Sequence, residues 1–305
     1  MDIKEIPELP KAIINAVSTN ELVIFVGAGV SRIVGCMGWE DLAKQLIDRT
    51  SELTNSEGRR FIKYRAIESI RNTNDNKKKI TICYEILKSQ GREEDFYEIM
   101  VSALTPEKSK SGVTIYNDLF KFRAIYLTTN ADELFIKQGT FKNFVCGKYI
   151  TEHIPERLTL YHLHGTIGER ESLVFTLPDY LHLYKPGKPY STFLEKIFRE
   201  NTVLFVGYSL SEIEFLQYLI TDENVEKTSY KRFYLAGYHE DEPEIVKVDQ
   251  IYFNQLGIKI LPYSLDEKGY DQLPLVISDW ASQITTKSEF VPKLIEEVDD
   301  FIRSL

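Results

Sequence analysis

Glu21-Leu22-Val23-Ile24-Phe25-Val26-Gly27-Ala28-Gly29-Val30-Ser31 joins an apolar run directly to two glycines and then to a helix-compatible sequence. Leu22 to Val26 is a continuous β-branched and aromatic run, suited to a parallel strand buried on both faces. Gly27 and Gly29 permit a tight turn whose backbone can approach a pyrophosphate with no Cβ in the way. A helix after the turn would point its free N–H groups at the anion. A lone G-x-G also occurs in ordinary strand-to-helix turns, so its meaning depends on what else the chain supplies.

Ahead of this strand, Leu9, Ile13, Ile14 and Val17 predict a short amphipathic helix. Behind it, Leu42, Leu46 and Ile47 predict a helix opened by Trp39-Glu40-Asp41, with the two acidic residues where the helix dipole favours them. From residue 51 to 114 the pattern is charge-rich and helical, over Arg60 to Ile70, Ile80 to Leu87 and Phe96 to Leu104, with no strand between. Strands resume at Phe122 to Thr128, Leu158 to His164, Leu173 to Thr176, Thr202 to Val206, Lys231 to Gly237 and Gly257 to Pro262. Helices between them are predicted at Phe193 to Phe198 and Ile213 to Ile220. Such alternation predicts an α/β fold, a Rossmann-like doubly wound parallel sheet with helices on both faces and a smaller helical insertion. The expected division is 1–50 with 115–285 for the sheet domain, 51–114 for the insertion and 286–305 for a C-terminal amphipathic helix.

At 305 residues and a formal charge of −9, the chain is long enough for a sizeable core and carries the wrong sign for a nucleic-acid surface. No apolar run spans a bilayer and no signal-peptide pattern opens the chain, so a cytoplasmic protein without membrane contact is expected. Cys36, Cys83 and Cys146 form no C-x-x-C pair, which fits reduced thiols and excludes a four-cysteine zinc site.

Familiar nucleotide and hydrolase motifs fail in detail. Arg32 stands where G-x-G-x-x-G needs its third glycine, and Asp48 and Glu52, at the ribose-binding spacing, follow no strand. No G-K-[ST] follows the glycines, and G-x-S-x-G is absent. What the chain does carry is an ordered set of strand-end signatures: Gly27-Ala28-Gly29-Val30-Ser31, Thr128-Thr129-Asn130-Ala131-Asp132, His164-Gly165 and Gly207-Tyr208-Ser209. The carboxyl ends of parallel strands are where such sheets bind ligands.

This ordered quartet resembles the sirtuin superfamily of NAD-consuming enzymes. The resemblance covers most of the chain from Leu22 to Pro262. It implies an NAD-binding domain with a smaller insertion, and cleavage of NAD between nicotinamide and ribose. Carried over, Ala28, Gly29 and Ser31 would line the phosphate loop beside Gly27, and Asn130 and Asp132 would face the nicotinamide ribose and carboxamide. His164 would match the catalytic histidine, and Gly207 and Ser209 the second phosphate and ribose loop. Thr129 stands among the NAD-contacting positions, where deacylating members carry Gln. Those members also have two zinc-binding cysteine pairs and an Asp-Phe-Arg element, neither present here. The chain looks more like bacterial sirtuin-like NAD hydrolases of antiphage defence, which implies NAD as substrate and no zinc. It also implies activation by oligomerisation or by a separate ATPase or Argonaute-like partner.

The residue chemistry suits that reaction. Nicotinamide leaves as a neutral molecule, so stabilising an oxocarbenium-like ribose and placing a water beside it can suffice. Asn130 can bridge a ribose hydroxyl and that water, His164 can accept a proton near neutral pH, and Asp132 can bind the carboxamide or stabilise positive charge. Other readings stand beside these. Asn130 and Asp132 can cap a helix near Glu133; His162 reads as a satisfied core histidine, Trp39 as a packing residue or a ring to stack on, and Tyr180, Tyr184 and Tyr190 as core aromatics. Protein deacylation or ADP-ribosyl transfer, and a non-catalytic NAD or ADP-ribose sensor, are the competing functions.

Overall fold

The structure is a computed structural model that describes residues 2–106, 115–151, 155–210, 217–219 and 230–286. The expected helices at 213–220 and 286–305 therefore fall mostly or wholly outside the described residues. No helix among the described residues is long and apolar enough to cross a membrane.

The chain opens with α1 (Lys11–Thr19), β1 (Leu22–Val26) and α2 (Ala28–Ile33). Four helices follow with no strand between them: α3 (Trp39–Ser51), α4 (Tyr64–Arg71), α5 (Asn76–Ser89) and α6 (Glu93–Leu104). The chain then passes through α7 (Ile115–Lys121), β2 (Ile125–Thr128), α8 (Leu134–Gln138), β3 (Asn143–Cys146), β4 (Thr159–His162), α9 (Leu177–Leu183), α10 (Pro189–Glu200) and β5 (Thr202–Val206). It closes with β6 (Arg232–Tyr238), a helix at Pro243–Asn254, β7 (Ile258–Ser264) and a helix through residues 272–286.

The strands form one seven-stranded parallel sheet in the order β3-β4-β2-β1-β5-β6-β7. All five residues of β1 are buried, as its uninterrupted apolar sequence requires of a central strand covered on both faces. Alternation along the strands splits the core. Val23, Phe25, Ile125, Leu127, Val203 and Phe205 pack with residues of α9, α10 and the Pro243–Asn254 helix. Leu22, Ile24, Val26, Tyr126, Leu204 and Val206 pack with α1, α7 and the helix at 272–286, whose Trp280 is fully buried.

A third core joins α3 to α6 through Leu46, Ile47, Ile67, Cys83, Phe96 and Met100. This helical subdomain reaches back to α3, earlier than residue 51, because Leu42, Leu46 and Ile47 face its interior. It also takes in Ala131, Leu173 and Phe175, so the subdomain sits directly on the carboxyl ends of the sheet strands. Two expectations about strands need correction. Leu173–Thr176 is not a strand; Val174 donates a single backbone hydrogen bond, to the His164 carbonyl, as the chain turns toward α9. Asn143–Cys146 is an edge strand that the pattern did not suggest, since its first two residues are exposed and no alternation marks it.

Candidate functional site

Register places the site. Cys146, His162, Thr128, Val26 and Val206 lie level across the sheet as the last residues of their strands, with Leu235 of the longer β6 level beside them. The residues just beyond them, Gly27, Thr129, Leu163 and Gly207, therefore share one rim. β1 and β5 are neighbours although the chain leaves β1 in one direction and returns to β5 from the other, so the crevice opens between their loops. There Gly27 N–H donates to the Val206 carbonyl at 2.9 Å and Gly29 N–H to the Gly207 carbonyl at 2.7 Å. Gly207 has φ +61°, a region costly for residues with a Cβ, and a Cβ there would come within 2.7 Å of the Val30 nitrogen. Ala28 and Gly29 are part-exposed beside it and Ser209 is exposed.

Asn130 leaves β2 and reaches across to this turn. Its side-chain amide donates to the Gly27 carbonyl at 2.9 Å and to Ser31 Oγ at 2.8 Å. A carbonyl can only accept, so Nδ2 must face Gly27, and both amide hydrogens are engaged. Its Oδ1 has no partner among the described residues, in a side chain that is only partly buried. The bridging role expected of Asn130 thus narrows to that of an acceptor. Backbone bonds hold it from both sides: its N–H donates to Thr128 Oγ1 at 3.0 Å, and its carbonyl accepts from His162 Nδ1 at 2.9 Å.

Ser31 is buried, and its hydroxyl donates to Asp132 Oδ2 at 2.5 Å with the Tyr116 hydroxyl 3.3 Å away. Its hydroxyl is engaged inside the turn and holds Asn130 and Asp132 together. Asp132 also accepts from the Leu134 N–H at 3.0 Å, so it meets the helix start as well as the site. Burial raises its pKa against the opposing pull of the Ser31 and Leu134 hydrogen bonds. Asp132→Asn keeps an acceptor for Leu134, can donate to Ser31 and removes a buried charge. Its stability in a urea titration is expected to be unchanged or higher by about 1 kcal/mol, and a loss beyond about 2 kcal/mol would contradict this account of its burial.

His164 lies apart from that chain of bonds. It is 1% exposed, its Nε2 is 2.8 Å from the Tyr184 hydroxyl, and Tyr180 packs edge-on at 5.0 Å. None of its hydrogen bonds among the described residues reaches Asn130, Asp132 or the glycine turn. Lys77 of the helical subdomain sits over the Tyr180 ring at 4.2 Å. Burial, aided by Lys77, lowers the His164 pKa to about 3; burial lowers that of His162 to about 4. Both are therefore neutral at pH 7.

These depressed values fix a sign. An unfolded chain takes up protons at both histidines below about pH 6.5 and the native chain does not, so stability is full above that pH and falls as pH drops toward 4 and 3. Each histidine contributes a loss of about 2 kcal/mol by pH 5, opposed by the raised Asp132, whose protonation favours the folded state. Melting temperatures at pH 7 and pH 5 check this, with His164→Gln expected to shrink the drop.

His162, read as a core residue, also buttresses Asn130, and Tyr116 closes the Ser31 cluster. Tyr116 carries no sequence signal, since it comes from α7, far from any motif. Trp39 is part-buried, 5.4 Å from the Phe175 ring. Thr129 is 7% exposed. Among the described residues no three His, Cys, Asp or Glu side chains stand together as a metal site.

A family model described as the SIR2-like domain matches residues 124–261. The match holds Asn130, Asp132, His164, Gly207 and Ser209 and excludes the β1 glycine turn and the helical subdomain. No curated protein matches the chain. SIR2-like domains bind NAD and are in general parts of NAD-dependent enzymes.

Proposed function

Because the chain carries a SIR2-like domain over residues 124–261, we propose that it is an NAD glycohydrolase yielding nicotinamide and ADP-ribose. The observation that carries the proposal is Asn130: anchored by both amide hydrogens to the β1 turn, it leaves one acceptor at the switch point of a parallel sheet. The glycine turn lies at that same switch point, where the close crossing of Gly27, Gly29 and Gly207 brings the loops after β1 and β5 together. In the reaction the bond between ribose C1′ and the nicotinamide nitrogen breaks, and its electron pair neutralises the pyridinium ring. Water oxygen bonds to C1′ and releases a proton. Asn130 Oδ1 accepts a hydrogen bond from a ribose hydroxyl or that water, Asp132 provides negative potential for the cationic ribose, and His164 takes the proton once movement of the helical subdomain has relieved the burial that holds its pKa at about 3.

His164 is closed off from solvent, beneath tyrosines and beside Lys77 of the helical subdomain. That supports an enzyme held inactive until a partner or self-assembly moves the subdomain. Depletion of cellular NAD in antiphage defence is the setting we assign to such a device. The same burial favours, as a second reading, a module that binds NAD or ADP-ribose without turnover.

Chromatography of NAD incubated with the protein over a concentration series, beside thermal shifts with NAD and ADP-ribose, tests both. Nicotinamide release supports the hydrolase. A thermal shift with no release supports the binding module, and neither signal at any concentration rejects both.

A further inference from the structure

Tyr184 stands at the C-terminal cap of α9, and the sequence fixes it there. Thr176 and Asp179 form a reciprocal capping box at the start of this helix, with Pro178 in its first turn, and one turn later Tyr180 and Tyr184 come to lie on the same side. The Tyr184 backbone N–H donates to the Tyr180 carbonyl, and its own carbonyl accepts from the Tyr218 hydroxyl at 3.1 Å. Its ring is 5% exposed and wedged against Tyr190 at 5.2 Å. The hydroxyl it presents to His164 is therefore held in place.

His164 has two nitrogens and one hydrogen bond among the described residues: Nε2 meets Tyr184, and Nδ1 is buried with no partner there. An orphaned buried N–H is rarer and costlier than an unfilled lone pair. The proton of the neutral ring therefore belongs on Nε2, donated to the Tyr184 oxygen, and the lone pair on Nδ1. His162 has the opposite arrangement, since its Nδ1 faces the Asn130 carbonyl and must carry the proton.

We propose that Tyr184 is the positioning residue of the site, holding His164 as the Nε2–H tautomer so that the Nδ1 lone pair is the atom that takes a proton from water or a ribose hydroxyl. The inference rests on the role given to His164 above. When Nδ1 gains that proton, no bond to Tyr184 breaks; the Nε2–H now belongs to an imidazolium and its bond to the phenol oxygen strengthens. Tyr184 transfers no proton itself and touches no substrate.

Two readouts test it. Nitrogen NMR of protein labelled with 15N-histidine is expected to show His164 in the wild type with a protonated Nε2 and a bare Nδ1, and Tyr184→Phe is expected to convert this signal to a mixture of tautomers. A wild-type proton on Nδ1, or a spectrum unchanged by Tyr184→Phe, overturns the assignment whether or not the protein cleaves NAD. In protein that does cleave NAD, Tyr184→Phe should lower kcat roughly 10- to 100-fold with KM within about 2-fold. In a His164→Gln background the same change should lower kcat no further, whereas a purely structural tyrosine lowers both backgrounds alike. Absence of NAD cleavage in the wild type counts against the glycohydrolase and leaves the tautomer measurement standing. If Tyr184→Phe does not fold, the wild-type spectrum alone decides.

Discussion

Asn130→Ala is expected to cut NAD cleavage by about 10³ in kcat under conditions where the wild type turns over, the scale of removing one preorganised polar group from an active site. The chain should stay folded. The substitution strips a donor from the Gly27 carbonyl and from Ser31, at a cost of about 1 to 3 kcal/mol, and leaves the sheet intact. Asn130→Asp separates the donor from the acceptor role. It keeps an oxygen for the ribose yet points a carboxylate at the Gly27 carbonyl, so it should be less stable than the alanine variant and no more active. A kcat within tenfold of wild type for Asn130→Ala would remove the residue from the mechanism.

Gly27→Ala is expected to destabilise the protein strongly and to open the glycine crossing beside the site. A Cβ at this position would stand 2.5 Å from the Gly207 carbonyl oxygen and 2.5 Å from the Tyr208 Cα, both backbone atoms of the neighbouring loop. No rotamer change relieves that contact, so β1 and β5 must separate where Gly27 N–H meets the Val206 carbonyl. Overpacking typically costs about 1 to 3 kcal/mol, and an obstacle made of backbone belongs at or above the top of that range. Denaturant midpoints measure the loss, and the thermal shift with ADP-ribose should vanish even at temperatures where the variant remains folded. Wild-type stability in this variant would mean that the two loops are not locked together as described.

The two substitutions probe different levels of one design. Gly27 and Gly207 fix how closely the loops after β1 and β5 approach. Asn130 depends on that approach because its anchoring acceptor is the Gly27 carbonyl. Ser31 then ties Asn130 to Asp132, and Ala131 between them is buried in the core of the helical subdomain. In the proposed activation, movement of that subdomain would act on the site mechanically, through Ala131 on one side and Lys77 beside the tyrosines on the other.

The central strands were legible because their signal is local. Leu22–Val26 and Thr202–Val206 are unbroken apolar runs, each closing on glycine, and such runs have few alternatives to a strand buried on both faces. Leu173–Phe175 looks similar but lies outside the sheet, because the turn at Gly165 and the 170–172 segment carry the chain away toward α9. Asn143–Cys146 joins the sheet with little local pattern, since its pairing with β4 comes from tertiary context.

The sequence by itself determined the parallel α/β architecture, the glycine turn after β1 and the positions of Asn130, Asp132 and His164 at strand ends, because hydrophobic runs and turn residues act over a few neighbours. Only the tertiary structure decided what those side chains bond to. It turned the Ser31 hydroxyl inward, occupied both Asn130 donors, set His162 against the Asn130 carbonyl and gave His164 to Tyr184. Those partners lie tens of residues away, and a hydrogen bond is chosen by distance and direction in space, which no local pattern encodes.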